Sequence, residues 1–186
     1  DPEISATDRA RALAAASQTV NDELRYIQAH DEDLLVSTVR NLIESTVRTN
    51  FYRNDRTNWY LSFKFDASKV RMMNPNRPMF EIYVHARDVE GVHLRFGKVA
   101  RGGIRWSDRD DFRTEVLGLV TTQRVKNVVI VPTGSKGGFL LKNASRDPAE
   151  RRRQADELYK TFIRGLLDLT DNSLAGKIVP PPRVVR

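Results

Sequence analysis

The chain has 186 residues, 40% hydrophobic and 30% charged, with a net charge of +7 and a pI near 9.9. That size and balance fit one globular domain with a core of its own and exclude a disordered chain. With no cysteine, disulfides, thiolate metal centres and cysteine nucleophiles are excluded together. No apolar run approaches the roughly 18 residues of a membrane span, and the N-terminus lacks a basic-then-apolar leader, so a cytoplasmic protein is expected.

The positive charge invites a nucleic-acid reading. Against it, acids interleave the bases, as in Arg105, Asp108, Arg109, Asp110 and Asp111. The one pure run, Arg151 to Arg153, sits between Glu150 and Asp156 in a helical pattern and reads as a solvated helix face. A basic binding module or a purely structural domain stays the alternative to an enzyme.

In chain order, residues 8–29 are predicted as a helix capped by Thr7 or Asp8, with Leu13, Val20, Leu24 and Ile27 as its apolar stripe. A second helix over 31–50 carries Leu35, Val39, Leu42, Ile43 and Val47 at three-four spacing, and Asp31, Glu32 and Asp33 suit its N-terminus. From Asn58 the period becomes two. Trp59, Leu61, Phe63 and Phe65 alternate with polar residues, and then Phe80, Ile82 and Val84 do the same after a Pro-Asn loop. Gly91 is predicted to turn into a third strand over 92–98, giving an antiparallel meander. His85 and His93 on neighbouring strands lack a third ligand at metal-like spacing.

Helical periodicity returns at Asp110 or Asp111, with Phe112, Val116, Leu119, Val120 and Gln123 on one side and Lys126 in the last turn. Val128 to Val131 reads as a strand buried on both faces, ended by Pro132 and followed by a turn over Thr133-Gly-Ser-Lys-Gly-Gly138. A final helix over 148–170 places Leu158, Phe162, Ile163, Leu166, Leu167 and Leu169 toward the core. Pro180, Pro181 and Pro182 then form a stiff extended segment. The expected fold is α/β, a mixed sheet of about four or five strands flanked by helices. Residues 1–50 would be N-terminal helices packing on it, 51–177 the binding domain, and 178–186 a proline-rich connection.

The chemistry concentrates between residues 98 and 142. Two glycine pairs, Gly102-Gly103 and Gly137-Gly138, each follow a cation, Arg101 and Lys136. Glycine lets backbone approach a ligand closely or take positive φ. The phosphate-loop pattern fails, because Gly137 stands where a hydroxyl is needed, and no G-x-G-x-x-G occurs. The plain alternative is a solvent-facing turn around Lys136. If Arg101, Lys126 and Lys136 converge, two of them can neutralise a dicarboxylic acid, arginine as a fork and lysine as a point charge. The third is then placed for general acid–base work in a desolvated pocket.

The block ARGGIRWSDRDDFRTEVLGLVTTQRVKNVVIVPTGSKGGFLLK closely resembles the large-subunit class of bacterial NAD-specific glutamate dehydrogenases. The Asn50-Phe-Tyr region, the Leu61-Ser-Phe-Lys-Phe strand and the Ile178-Val-Pro-Pro-Pro ending are similar too. The wider amino-acid dehydrogenase family carries K-G-G-[IL]-R, Q-x-x-K and P-x-G-G-x-K-G-G. Here these stand as Arg101-Gly-Gly-Ile-Arg105, Gln123-Arg-Val-Lys126 and Pro132-Thr-Gly-Ser-Lys-Gly-Gly138, with arginine for the first lysine and one residue fewer before Lys136.

By that resemblance the domain is of the amino-acid dehydrogenase substrate-binding type. Lys136 is the catalytic lysine, Lys126 holds the α-carboxylate, and Arg101 with Gly102 and Gly103 the side-chain carboxylate. The substrates are L-glutamate and 2-oxoglutarate, with NAD as cofactor. The resemblance also implies a catalytic aspartate and a nucleotide-binding domain further along the subunit, no cofactor contact in these residues, and a homo-oligomer. It implies no nucleic-acid or membrane partner, and a chain inactive by itself. A related dehydrogenase with an aliphatic substrate would want an apolar residue in place of Arg101.

Overall fold

The computed structural model describes residues 4–53, 59–71, 77–98, 100–126 and 134–184, and the side chains of 123–126 lie outside that description. Helices α1 (Ala6–Leu24) and α2 (His30–Ser45) lead into β1 (Thr46–Thr49). Then come β2 (Tyr60–Asp66), β3 (Phe80–Ala86), β4 (Val89–Arg95) and β5 (Ile104–Ser107). Helix α3 (Phe112–Lys126), β6 (Ser135–Leu141) and α4 (Pro148–Leu167) follow. A small hairpin of β7 (Asn172–Leu174) and β8 (Lys177–Val179) stands apart.

The main sheet has six strands in the order β1-β2-β3-β4-β6-β5, one more than the upper expectation. All neighbours are antiparallel except β5 and β6, so β5-α3-β6 is a parallel crossover inserted beside a meander. The mixed α/β class and the meander are as the two-residue period indicates.

The two sheet faces have different covers. Ile82, Val84, Val89, Phe139 and Leu141 pack against Ala155 and Phe162 of α4 on one face. Val92 and Leu94 pack against Phe112, Val116 and Val120 of α3 on the other. Helix α4 crosses the strands closely because Gly91 and Gly165 lack side chains at the contact. A β-carbon on Gly91 would fall 2.6 Å from the Phe162 ring, and one on Gly165 2.6 Å from Val84. Asp147 caps α4 by accepting from the N–H groups of Ala149 and Glu150, with Pro148 at its first turn.

Several boundaries differ from the sequence reading. Helix α1 starts two residues earlier than predicted, with Ser5 as its cap, and ends at Leu24. Helix α2 stops at Ser45, because β-branched Thr46 and Val47 pair with β2 instead of continuing the helix. Gly91 is not a turn. It lies inside β4, and the chain reverses at Arg87 and Asp88. Leu119 and Leu167 are 38% and 60% exposed, so the apolar sides of α3 and α4 are narrower than their leucines imply. Leu13, Leu35, Val39 and Ile43 are likewise exposed on α1 and α2. The predicted strand over 128–131 lies outside the described residues.

Candidate active site

Lys136 does not sit in a turn. It is the second residue of β6, opposite Leu94 of β4, and Leu94 is fully buried. The sequence Ser-Lys-Gly-Gly-Phe-Leu-Leu looks like a turn because it opens on small residues, yet each of them has a partner in β4. None of the four site glycines has positive φ; among the described glycines only Gly176 does. For Gly102, Gly137 and Gly138 the role is close approach, whereas a β-carbon on Gly103 would meet only the end of the Lys136 side chain.

Residues 101–103 run parallel beside the start of β6. Arg101 bridges Gly134, and the Ser135 N–H donates to the Arg101 carbonyl at 2.8 Å. The Gly137 N–H donates to the Gly103 carbonyl at 3.1 Å. A β-carbon on Gly102 would lie 1.4 Å from the Ser135 carbonyl oxygen, so only glycine permits this approach. Ile104 opposes Gly137, which puts Gly103 beside Lys136. The Lys136 Nζ lies 3.9 Å from where a Gly103 β-carbon would stand.

The structure therefore brings together Arg101, Gly102, Gly103 and Lys136, at the end of the sheet where β6 begins. Lys126 is the last residue of α3, which covers the sheet face that carries Lys136. The side chain of Lys126 lies outside the described residues.

The neighbouring cations are already neutralised. Arg105 Nε lies 2.8 Å from Glu115 Oε1, and the Ser107 hydroxyl donates to Glu115 Oε2 at 2.8 Å. Arg113 makes a fork to the buried Glu81 carboxylate, both bonds 2.7 Å, and those hydrogen bonds hold its proton more firmly than in free arginine. Among the described residues, neither Arg101 nor Lys136 has a carboxylate partner. The positive charge left over at this sheet end suits a carboxylate-bearing ligand.

These ties escaped the sequence reading. Glu81 and Arg113 are 32 positions apart, and the available hint was a glutamate inside the apolar strand MFEIYVHA. His85 and His93 do not meet: His85 opposes Glu90 on the α3 face, and His93 opposes Ile82 on the α4 face.

Residues 19–186 match the family described as bacterial NAD-glutamate dehydrogenase, catalytic domain. The chain belongs to this family. Among its relatives, the NAD-specific glutamate dehydrogenases of Halomonas elongata and Pseudomonas aeruginosa are each 55% identical, over 130 and 132 residues. The enzyme of that name in Mycobacterium tuberculosis is 52% identical over 136 residues. Each alignment covers 68% of this chain but 8% of the relative, so the chain spans under a tenth of the length of these glutamate dehydrogenases.

Proposed function

We propose that the chain is the substrate-binding catalytic domain of an enzyme that oxidatively deaminates L-glutamate to 2-oxoglutarate and ammonia. The observation that carries this reading is the parallel register of residues 101–103 with β6, which sets Arg101 and Lys136 at one sheet end, without carboxylate partners among the described residues. Arg101 forks to the side-chain carboxylate of glutamate, with Gly102 keeping its segment against β6 and the bare Gly103 backbone leaving room beside Lys136. Lys126 holds the α-carboxylate. Lys136 stands beside the reacting carbon, helps water add to the iminium and helps ammonia leave.

NAD, the cofactor in the relatives' names, accepts the hydride. The residues of this chain do not fit it. No G-x-G-x-x-G occurs, and Asp108, Asp110 and Asp111 crowd the N-terminus of α3, where a pyrophosphate would be repelled. The nucleotide is held by a part of the subunit outside these residues, and the domain alone does not turn over.

A related dehydrogenase for aliphatic amino acids is disfavoured by the exposed cation Arg101. Nucleic-acid binding is disfavoured because Arg152 and Arg153 of the basic run pair with Asp156 and Glu150 on an exposed helix face.

Arg101→Leu in the full-length subunit tests the substrate class. The value of kcat/KM for glutamate falls at least about thirtyfold, while that for norvaline holds or rises. Equal changes for both substrates would contradict the assignment of Arg101 to the side-chain carboxylate.

A further inference from the structure

On the face opposite Lys136, α4 crosses the sheet over Phe139, Gly91 and Val84. The next row of the sheet toward the start of β6 runs Lys64, Ile82, His93, Gly137 and Ile104, as the registers give it. Beyond it, Phe80 opposes Arg95. Lys64 and His93 thus flank Ile82 across two strand spacings, about 10 Å, with Phe80 and Arg95 beside them. All four are half-buried.

This shelf carries an excess of positive charge, since the one acid acting on Lys64, Asp171, is shared with Arg48. The Lys64 ammonium lies 4.3 Å over the Phe80 ring. Burial, then Arg48 and Arg95, push its pKa down. Arg95 donates to the Lys98 carbonyl at 3.0 Å, and neither Lys64 nor Arg95 has a carboxylate partner among the described residues. The nearby acid Asp171 is held by Arg48 at 2.9 Å, and Arg48 also donates to the Leu169 carbonyl at 2.7 Å. Asp66, on the same face, accepts from the Ser68 hydroxyl at 2.6 Å. A partly desolvated lysine among arginines is costly unless an anion joins it.

A second observation is independent of charge. His93 Nδ1 is buried and has no hydrogen-bond partner among the described residues. Burial, then Arg95, lower its pKa to about 4, so the ring is neutral near pH 7 and carries one N–H. A buried unpaired ring nitrogen wants a partner, and it shares the shelf with the unpaired cations.

We propose that Lys64, Arg95 and His93 form a binding site for a small carboxylate- or phosphate-bearing anion. The cations hold the anionic group and His93 supplies a hydrogen bond. The His93 ring also packs on Gly137, where a β-carbon would lie 3.2 Å from Cδ2, so occupancy bears on the residue next to Lys136.

The test is thermal unfolding of the full chain with inorganic phosphate or succinate, at ionic strength held constant with chloride. A saturable rise in Tm is expected for wild type and equally for Arg101→Leu, which removes the proposed carboxylate fork and so separates the shelf from the proposed substrate site. Lys64→Met and Arg95→Gln each weaken the apparent affinity at least tenfold, and whichever anion saturates first identifies the class. Without added anion, Lys64→Met keeps or raises Tm, because it removes an uncompensated charge. No saturable shift, or one unchanged by Lys64→Met, would overturn the proposal. So would a loss of Tm in Lys64→Met without anion.

Discussion

Gly103 and Lys136 are neighbours across the only parallel strand contact of the main sheet among the described residues, and the lysine nitrogen lies 3.9 Å from the place of a missing β-carbon. Gly102, one residue earlier, is packed far more tightly, with a virtual β-carbon 1.4 Å from the Ser135 carbonyl. The two glycines therefore differ in what they tolerate. Gly103→Ala keeps the fold, since its methyl meets only the end of a flexible side chain. Gly102→Ala pushes residues 101–103 off β6, costing about 1–3 kcal/mol in urea unfolding and separating Arg101 from Lys136.

Phe162 is fully buried and fills the hollow above Gly91. Phe162→Ala leaves a cavity between α4 and the sheet and costs about 3–5 kcal/mol, read as a lower denaturation midpoint at unchanged m. Gly91→Ala costs stability by the opposite route, overpacking against the same ring.

Arg113 and Glu81 form a two-bond ion pair whose carboxylate is nearly inaccessible, while the arginine side chain is 41% exposed. Arg113→Met strands the buried Glu81 charge and costs about 3 kcal/mol at pH 7. Replacing both residues, with Glu81→Leu added, recovers most of that loss. Equal stability of the single and double variants in urea would mean the pair does not tie α3 to β3.

Much of this arrangement is legible from the residues. Alternation in Phe80, Ile82 and Val84 gives the α4 face of β3, and the glycine-flanked cations lead to Arg101 and Lys136. The strand character of Ser135 to Gly138 is hidden, because small residues signal a turn locally and only pairing with β4 makes them a strand. The same competition between local and long-range pairing decides Thr46 and Val47 for β1. Glu81 with Arg113, and His93 against Gly137, depend on register between distant strands, which a one-dimensional pattern does not carry.

His93 gives the fold a pH dependence with a fixed sign. Its pKa is about 4 in the folded chain against an ordinary 6.5, first because it is buried and then because Arg95 is near. Above pH 6.5 both folded and unfolded chains hold it neutral, so its full contribution is present there. Below that, the unfolded chain gains a proton that the folded chain refuses. Stability then falls by up to about 3 kcal/mol between pH 6.5 and 4. Subtracting the pH profile of His93→Phe from that of wild type in urea unfolding should return this slope; identical profiles would rule it out.

The most direct measurement is NADH formation from glutamate by the full-length subunit, wild type against Lys136→Ala. Removing a general acid–base lysine lowers kcat by about 10²–10⁴-fold, while circular dichroism and Tm stay unchanged because the side chain is only half-buried at the sheet end. Undiminished turnover in Lys136→Ala would contradict the assignment and leave residues 101–103 beside β6 as scaffold alone.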